Sequence, residues 1–92
     1  MKNTYPIVLT PIEEGYTVYV PDFDIITQGS TLVEGIKMAR DAIGLTAINL
    51  VNEKKRIPEA ITLSKVVLAD GDILVLVDID FAEFRNKRKN KK

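Results

Sequence analysis

The chain has 92 residues, enough for one domain and too few for two. It contains no cysteine and no histidine, which excludes disulfides, thiolate or imidazole metal sites, and catalysis of the Ser-His-Asp or Cys-His type. Hydrophobic residues make up 46% of the chain, as in an ordinary globular domain, and 13 basic residues balance 13 acidic ones.

The charge is unevenly distributed along the chain. Residues 1–84 contain seven basic residues and all thirteen acids, which leaves this part with a net charge of −6. An acidic body repels nucleic acid and attracts basic proteins. We expect one folded domain over residues 1–84 and a disordered basic tail over residues 85–92. The tail holds the other six basic residues and no acid: Arg85, Lys87, Arg88, Lys89, Lys91 and Lys92.

No stretch of the sequence indicates a membrane protein or an exported one. Apolar runs stay well below the roughly 20 residues that cross a bilayer. The first six residues lack the apolar core of a signal peptide. We therefore expect a cytoplasmic protein without a membrane partner.

The first half of the chain predicts three strands. Residues 5–12 and 16–20 alternate in polarity around Glu13-Glu14-Gly15, which is typical of a β-hairpin. Pro6 and Pro11 lack an N–H donor, so each should lie at an edge, a bulge or a strand end. Pro21 ends the second strand, a turn follows, and residues 25–28 form a short third strand that ends at Gly29.

A helix is predicted from Ser30 or Thr31 to about Asn52. Glu34 lies three residues after Thr31, the spacing of a capping box. At 100° per residue one apolar stripe forms along the helix, made of Leu32, Ile36, Ala39, Ile43, Ala47 and Leu50.

The opposite side of this helix also carries apolar residues, namely Met38, Leu45 and Ile48. They require a cover, which is either the chain after the helix or another molecule. A two-fold copy of the same helix is the simplest molecule of that kind, so we predict a homodimer or a higher homo-oligomer.

Residues 73–81 give the strongest strand signal. Both faces of this segment begin apolar, which favours a central strand covered on two sides. The order of elements predicts an α+β fold, a mostly antiparallel sheet with one main helix packed on a face. If the strands that the helix joins are parallel, their crossover should be right-handed.

Several segments together resemble the HicB-like antitoxin family over about residues 5–82. They are Tyr5-Pro6, residues 15–23 (GYTVYVPDF), residues 27–31 (TQGST), Glu34-Gly35-Ile36, residues 39–43 (ARDAI), Ile57-Pro58 and residues 75–80 (VLVDID). The resemblance implies a truncated ribonuclease-H-like β-β-β-α-β domain without catalytic activity. It also implies a small basic HicA-type toxin as partner, an mRNA-cleaving ribonuclease that the antitoxin binds and blocks. Many members add a C-terminal DNA-binding module, and the eight residues after Phe84 are too few for one, so we expect a short form.

We assign the toxin contacts to Tyr19, Asp22, Phe23 and Asp24. Tyr16 and Tyr19 lie on opposite faces of their strand, so one should be exposed, and exposed aromatic residues beside acidic loops suit protein interfaces. The alternative is an ordinary turn, in which the aspartates bond their own backbone and Phe23 enters the core.

Two other functions compete with the antitoxin. Asp78 and Asp80, with Asp22 or Asp24, could imitate the carboxylates that hold two metal ions in a nuclease, or could simply solvate the end of a strand. The basic tail, if it is more than a solubilising segment, would make the chain a stand-alone RNA- or DNA-binding protein. We predict no catalytic residues, no metal and no cofactor, and nucleic-acid contacts through the tail only.

Overall fold

A computed structural model describes residues 2–60 and 63–82, so the predicted tail lies outside the described residues. Its strands are β1 (Lys2–Ile12), β2 (Gly15–Val20), β3 (Ile25–Gly29) and β4 (Ile73–Asp80), and α1 (Leu32–Asn52) follows β3. They form one sheet in the order β3-β2-β1-β4, in which every neighbouring pair is antiparallel. The α+β prediction is confirmed, and the ribonuclease-H-like detail stays a prediction.

The β1–β2 hairpin explains where the two prolines of β1 are tolerated. The β1–β2 ladder covers Val8 to Ile12, so Pro6 lies outside it. The β1–β4 ladder ends at Leu9, so Pro11 lies beyond it. Each proline therefore has a paired strand on one side only. On its other side no strand needs an N–H donor, so proline is tolerated there, as predicted.

The helix begins at the predicted cap. The Thr31 Oγ1 atom accepts a hydrogen bond from the Glu34 N–H (3.0 Å). In return, Glu34 Oε1 accepts from the Ser30 N–H (2.6 Å) and from the Ser30 hydroxyl (2.8 Å). These bonds satisfy donors that a helix start leaves free. No helix within the described residues is both long and apolar enough to cross a membrane.

The core lies between α1 and one face of the sheet. The helix approaches closely at Gly35, where a Cβ atom would lie 2.9 Å from Leu9 Cδ2 and 3.1 Å from Val18 Cγ2. The predicted stripe of α1 faces inward, with its central residues buried and its outer ones half-buried. The core side chains are Tyr5, Ile7, Leu9, Val18, Val20, Ala39, Ile43, Ala47, Val77, Ile79 and Phe81.

The helix does not make a parallel crossover. β3 and β4 run in opposite directions, so the condition for a right-handed crossover is not met. After α1 the chain passes Pro58, whose carbonyl accepts a hydrogen bond from the Tyr5 hydroxyl (2.7 Å). It must then return to the Leu9 end of β1, where Ile73 begins β4. This return accounts for the length of chain between α1 and β4.

The expectation that β4 begins as a central strand is wrong. β4 lies at an edge of the sheet and pairs with β1 alone. Leu74 and Leu76 are exposed on the face opposite α1. No described segment of this chain therefore buries these two apolar side chains.

Candidate protein-binding surface

The β2–β3 turn holds three of the four residues predicted to contact a partner, Asp22, Phe23 and Asp24. Pro21 starts a 3-10 turn, and Asp24 closes it in the left-handed region (φ 53°) with its N–H donating to the Pro21 carbonyl (3.2 Å). Proline fixes the first φ, and aspartate tolerates the left-handed conformation better than most residues. The turn leaves Asp24 exposed and Asp22 and Phe23 half-buried.

Phe23 fastens the turn to the core. Its ring meets the Tyr5 ring edge-to-face, with 4.9 Å between centroids and 73° between planes. The Tyr5 hydroxyl donates to the Pro58 carbonyl and accepts from the Asn3 side-chain amide (3.1 Å). Burial raises the pKa of Tyr5, and the Asp22 carboxylate adds to the rise. Phe23 thus has a structural role, whatever its exposed part contacts.

Tyr19 lies on the other face of the sheet. Its side chain is 41% exposed, while the neighbouring Val18 and Val20 are buried under α1. In the ladders Tyr19 stands opposite Val8 on one side and Ile26 on the other. Asp24 precedes Ile26 by two residues. The structure therefore places Tyr19 on the face opposite α1 and the exposed Asp24 in the turn before β3, and it packs Phe23 against the core residue Tyr5.

Tyr19 belongs to an apolar band on the face of the sheet opposite α1, which we call the open sheet face. In cross-strand register, Ile26, Tyr19, Val8 and Leu74 form one row across all four strands. Leu76 lies two residues beyond Leu74 on the same face. Ile26 is 75% exposed and Leu76 54%, whereas Val8, inside the row, is buried.

Sequence reasoning missed Ile26, Leu74 and Leu76 as surface residues. Their signal was present, because β3 and β4 carry apolar residues at consecutive positions and therefore on both faces. In β4 that pattern predicts a central strand covered on two sides. It fits an edge strand with an external partner equally well.

Acidic side chains flank the band along β4. Asp72, Asp78 and Asp80 are each an even number of residues from Leu74 and Leu76. They therefore lie on the same face as the two leucines. Asp72 Oδ1 accepts from the Thr10 hydroxyl (2.7 Å), and Asp78 Oδ1 accepts from the Thr4 hydroxyl (2.5 Å). The Thr10 bond, followed by one from the Ala69 N–H, lowers the pKa of Asp72. Among the strands, the one basic position that the structure describes is Lys2, which begins β1 opposite Asp80; the other described basic residues fall between residues 37 and 65, on α1 and the segments that follow it.

A second exposed apolar surface is the outer side of α1, which we call the outer helix face. Met38 and Leu45 are exposed, Leu45 by 51%, and Ile48 is half-buried. No described segment of the chain covers Met38 or Leu45. Charges of both signs, Lys37 and Asp41, lie on the same helix.

The carboxylates considered for a metal site have local roles instead. Asp78 binds Thr4, and Asp80 Oδ1 accepts from the Ala82 N–H (3.1 Å). Within residues 2–60 and 63–82 no three acidic side chains come together in an arrangement that could hold a metal ion. The described geometry gives the nuclease hypothesis no support.

Comparison with known proteins identifies the family of this chain. A family model described as HicB_like antitoxin of bacterial toxin-antitoxin system matches residues 5–91. No curated protein matches the chain. Among solved structures, the fold is similar to a chain of a toxin-antitoxin complex from Streptococcus pneumoniae, with 22% identity and a TM-score of 0.81, over 100% of this chain and 78% of that one. Since the family model spans nearly the whole sequence, this chain belongs to the HicB-like antitoxins of bacterial toxin-antitoxin systems.

Proposed function

We propose that this antitoxin neutralises a small basic HicA-type toxin that cleaves mRNA. It acts in the cytoplasm, without catalysis of its own, by covering the RNA-binding or catalytic face of the toxin. The observation that carries the proposal is an exposed aromatic residue, Tyr19, on the face of the sheet that also holds Asp72 and Asp78, with the exposed Asp24 in the turn that follows its strand.

The charge of this side selects the class of partner. Negative charge on both sides of a contact repels, so phosphate-rich RNA is disfavoured there and a basic protein is favoured. Complementary charge speeds the encounter, and a desolvated aromatic anchor slows dissociation. Occlusion by a tightly held protein needs both effects.

The test removes the two turn carboxylates. We expect the double variant Asp22→Asn, Asp24→Asn to bind an inactivated HicA-type toxin about tenfold more weakly, chiefly through slower association. Asparagine keeps the shape of the side chain and tolerates the left-handed φ of Asp24. Affinity is measured by calorimetry and association rate by stopped flow, with a thermal melt to show that the domain is folded.

A matched control carries the same change of net charge elsewhere. The double variant Asp41→Asn, Glu53→Gln alters α1 and its C-cap and should leave the affinity within about twofold. Equal losses in the two double variants would show that only total charge matters. An unaltered chain that fails to slow RNA cleavage by the toxin would contradict the function itself.

A further inference from the structure

We infer that the toxin docks across the open sheet face, presenting an apolar segment that is bounded at both ends by basic residues. This inference rests on the proposed function and extends its surface from the β2–β3 turn to the whole row of Ile26, Tyr19, Val8 and Leu74, with Leu76. The outer helix face takes no part in it.

The apolar band has the size and continuity of a docking site. Neighbouring strands lie about 4.8 Å apart, so a row across four strands spans roughly 14 Å. An α-helix with its side chains is about 10–12 Å across, so the band can accommodate one packed element of a partner. Ile26 at one end of the row and Leu76 beside the other are the two most exposed residues of the band. Contiguous exposed apolar surface of this kind marks interaction sites.

Acidic groups at both ends of the band define the rest of the partner. Towards the β1–β2 hairpin lie Asp72 and the exposed Glu13 and Glu14. Towards the opposite end lie Asp78 and the exposed Asp24. A segment laid along the strands would therefore meet carboxylates before and after the leucines, which calls for lysine or arginine on each side of its apolar centre.

Two of these carboxylates, Asp72 just before β4 and Asp78 on it, are held in place before binding. Two donors, Thr10 Oγ1 and the Ala69 N–H, fix Asp72, and Thr4 Oγ1 fixes Asp78. A fixed acceptor loses less conformational entropy when a basic side chain binds it than a free one does. The hydrogen bonds to Asp72 also lower its pKa and so favour its ionised form, whose charge is available to a cation.

A second copy of this chain fits the open sheet face poorly. A symmetric contact would place the same face opposite itself and bring Asp72, Asp78 and Asp80 of both copies together. Like charges in an interface are destabilising. A basic partner with an apolar segment is complementary both to the apolar band and to the carboxylates at its ends.

The first experiment removes the apolar band without removing strand propensity. We expect Ile26→Thr with Leu76→Thr to weaken binding of the inactivated toxin at least about tenfold, because threonine suits a strand but offers little apolar surface. The control is Met38→Gln with Leu45→Gln, which makes two equally polar changes on the outer helix face with residues that favour helices. It should leave toxin affinity within about twofold.

The second experiment uses the absence of cysteine. Single variants Ile26→Cys, Leu76→Cys and Met38→Cys each give the chain one thiol, whose alkylation by a maleimide is followed by intact mass. Bound toxin should slow alkylation at positions 26 and 76 at least about tenfold and leave position 38 unchanged. This readout needs no loss of affinity and so does not depend on how well a polar variant folds.

The outcomes separate the two proposals. Normal toxin binding combined with free alkylation at positions 26 and 76 would overturn this surface and leave the antitoxin function intact. Slow alkylation that appears without toxin and grows with the concentration of this chain would assign the face to a second copy, which also overturns the inference. Absence of any binding by the unaltered chain would remove the proposed function on which the inference rests.

Discussion

The open sheet face and the outer helix face lie on opposite sides of one thin domain and expose similar apolar side chains. Leu76 on the sheet and Leu45 on the helix are about half exposed. The two surfaces differ in charge, since Asp72 and Asp78 lie on the open sheet face while α1 carries Lys37 and Asp41 one turn apart. Apolar exposure makes each surface a candidate binding site, and the difference in charge predicts different partners for the two.

The two surfaces also differ in how firmly their charges are held. On the sheet, hydroxyls of Thr4 and Thr10 bind the carboxylates directly. After α1, the ion pair between Lys55 and Glu53 (3.2 Å) joins two exposed side chains, and pairs of this kind contribute little. A surface with fixed charges of one sign selects a partner of opposite sign, whereas mixed charges allow a two-fold copy to pair with itself.

The largest expected effect separates the two sides of α1. We expect Ile43→Ala to lower the free energy of unfolding by about 2–5 kcal/mol, because Ile43 is fully buried against the sheet. Leu45→Ala, two residues away on the outer helix face, should change it by less than about 0.5 kcal/mol. Urea unfolding of dilute protein measures both. Similar losses in the two variants would mean that Leu45 is buried in the isolated chain.

The next prediction tests whether self-association uses the outer helix face and not the open sheet face. We expect Met38→Gln with Leu45→Gln to raise the dissociation constant of the predicted homo-oligomer at least about tenfold, because both changes remove an apolar side chain from the predicted interface. Ile26→Thr with Leu76→Thr should leave that constant within about twofold. Sedimentation velocity over a range of protein concentrations measures it. A chain that stays monomeric at high concentration would refute the predicted self-association.

The smallest effect concerns the fixed carboxylates. Hydrogen bonds from Thr10 and Ala69 lower the pKa of Asp72, and those from the Ser30 backbone and hydroxyl lower the pKa of Glu34. A lowered folded-state pKa stabilises the fold above the unfolded value, near 4, and this contribution disappears as pH falls through the folded value. We therefore expect the free energy of unfolding to decrease as pH falls below about 5.

Two threonines in register provide the control for this pH effect. Thr10→Val removes the hydroxyl donor of Asp72 and should flatten the decrease. Thr17→Val, at the paired position on β2, should leave it unchanged. Urea unfolding at several pH values measures both slopes. An unaltered slope in Thr10→Val would show that Asp72 gains nothing from its hydrogen bond.

Local chemistry made the hairpin and the helix predictable. Glu13, Glu14 and Gly15 lie between two alternating segments, and Thr31 with Glu34 has the spacing of a cap, so each signal depends on residues that are close in sequence. The same is true of the exposed turn at Asp24. These features form because nearby backbone groups find nearby partners.

The sequence alone determined one domain with an α+β order of elements, an acidic body without imidazole or thiol chemistry, and the inward stripe of α1. Only the tertiary structure decided that β4 is an edge strand and that Ile26, Tyr19, Val8 and Leu74 form one row. The physical reason is that periodicity shows which residues of a strand share a face, whereas strand order and register determine which strands adjoin and which face the helix covers.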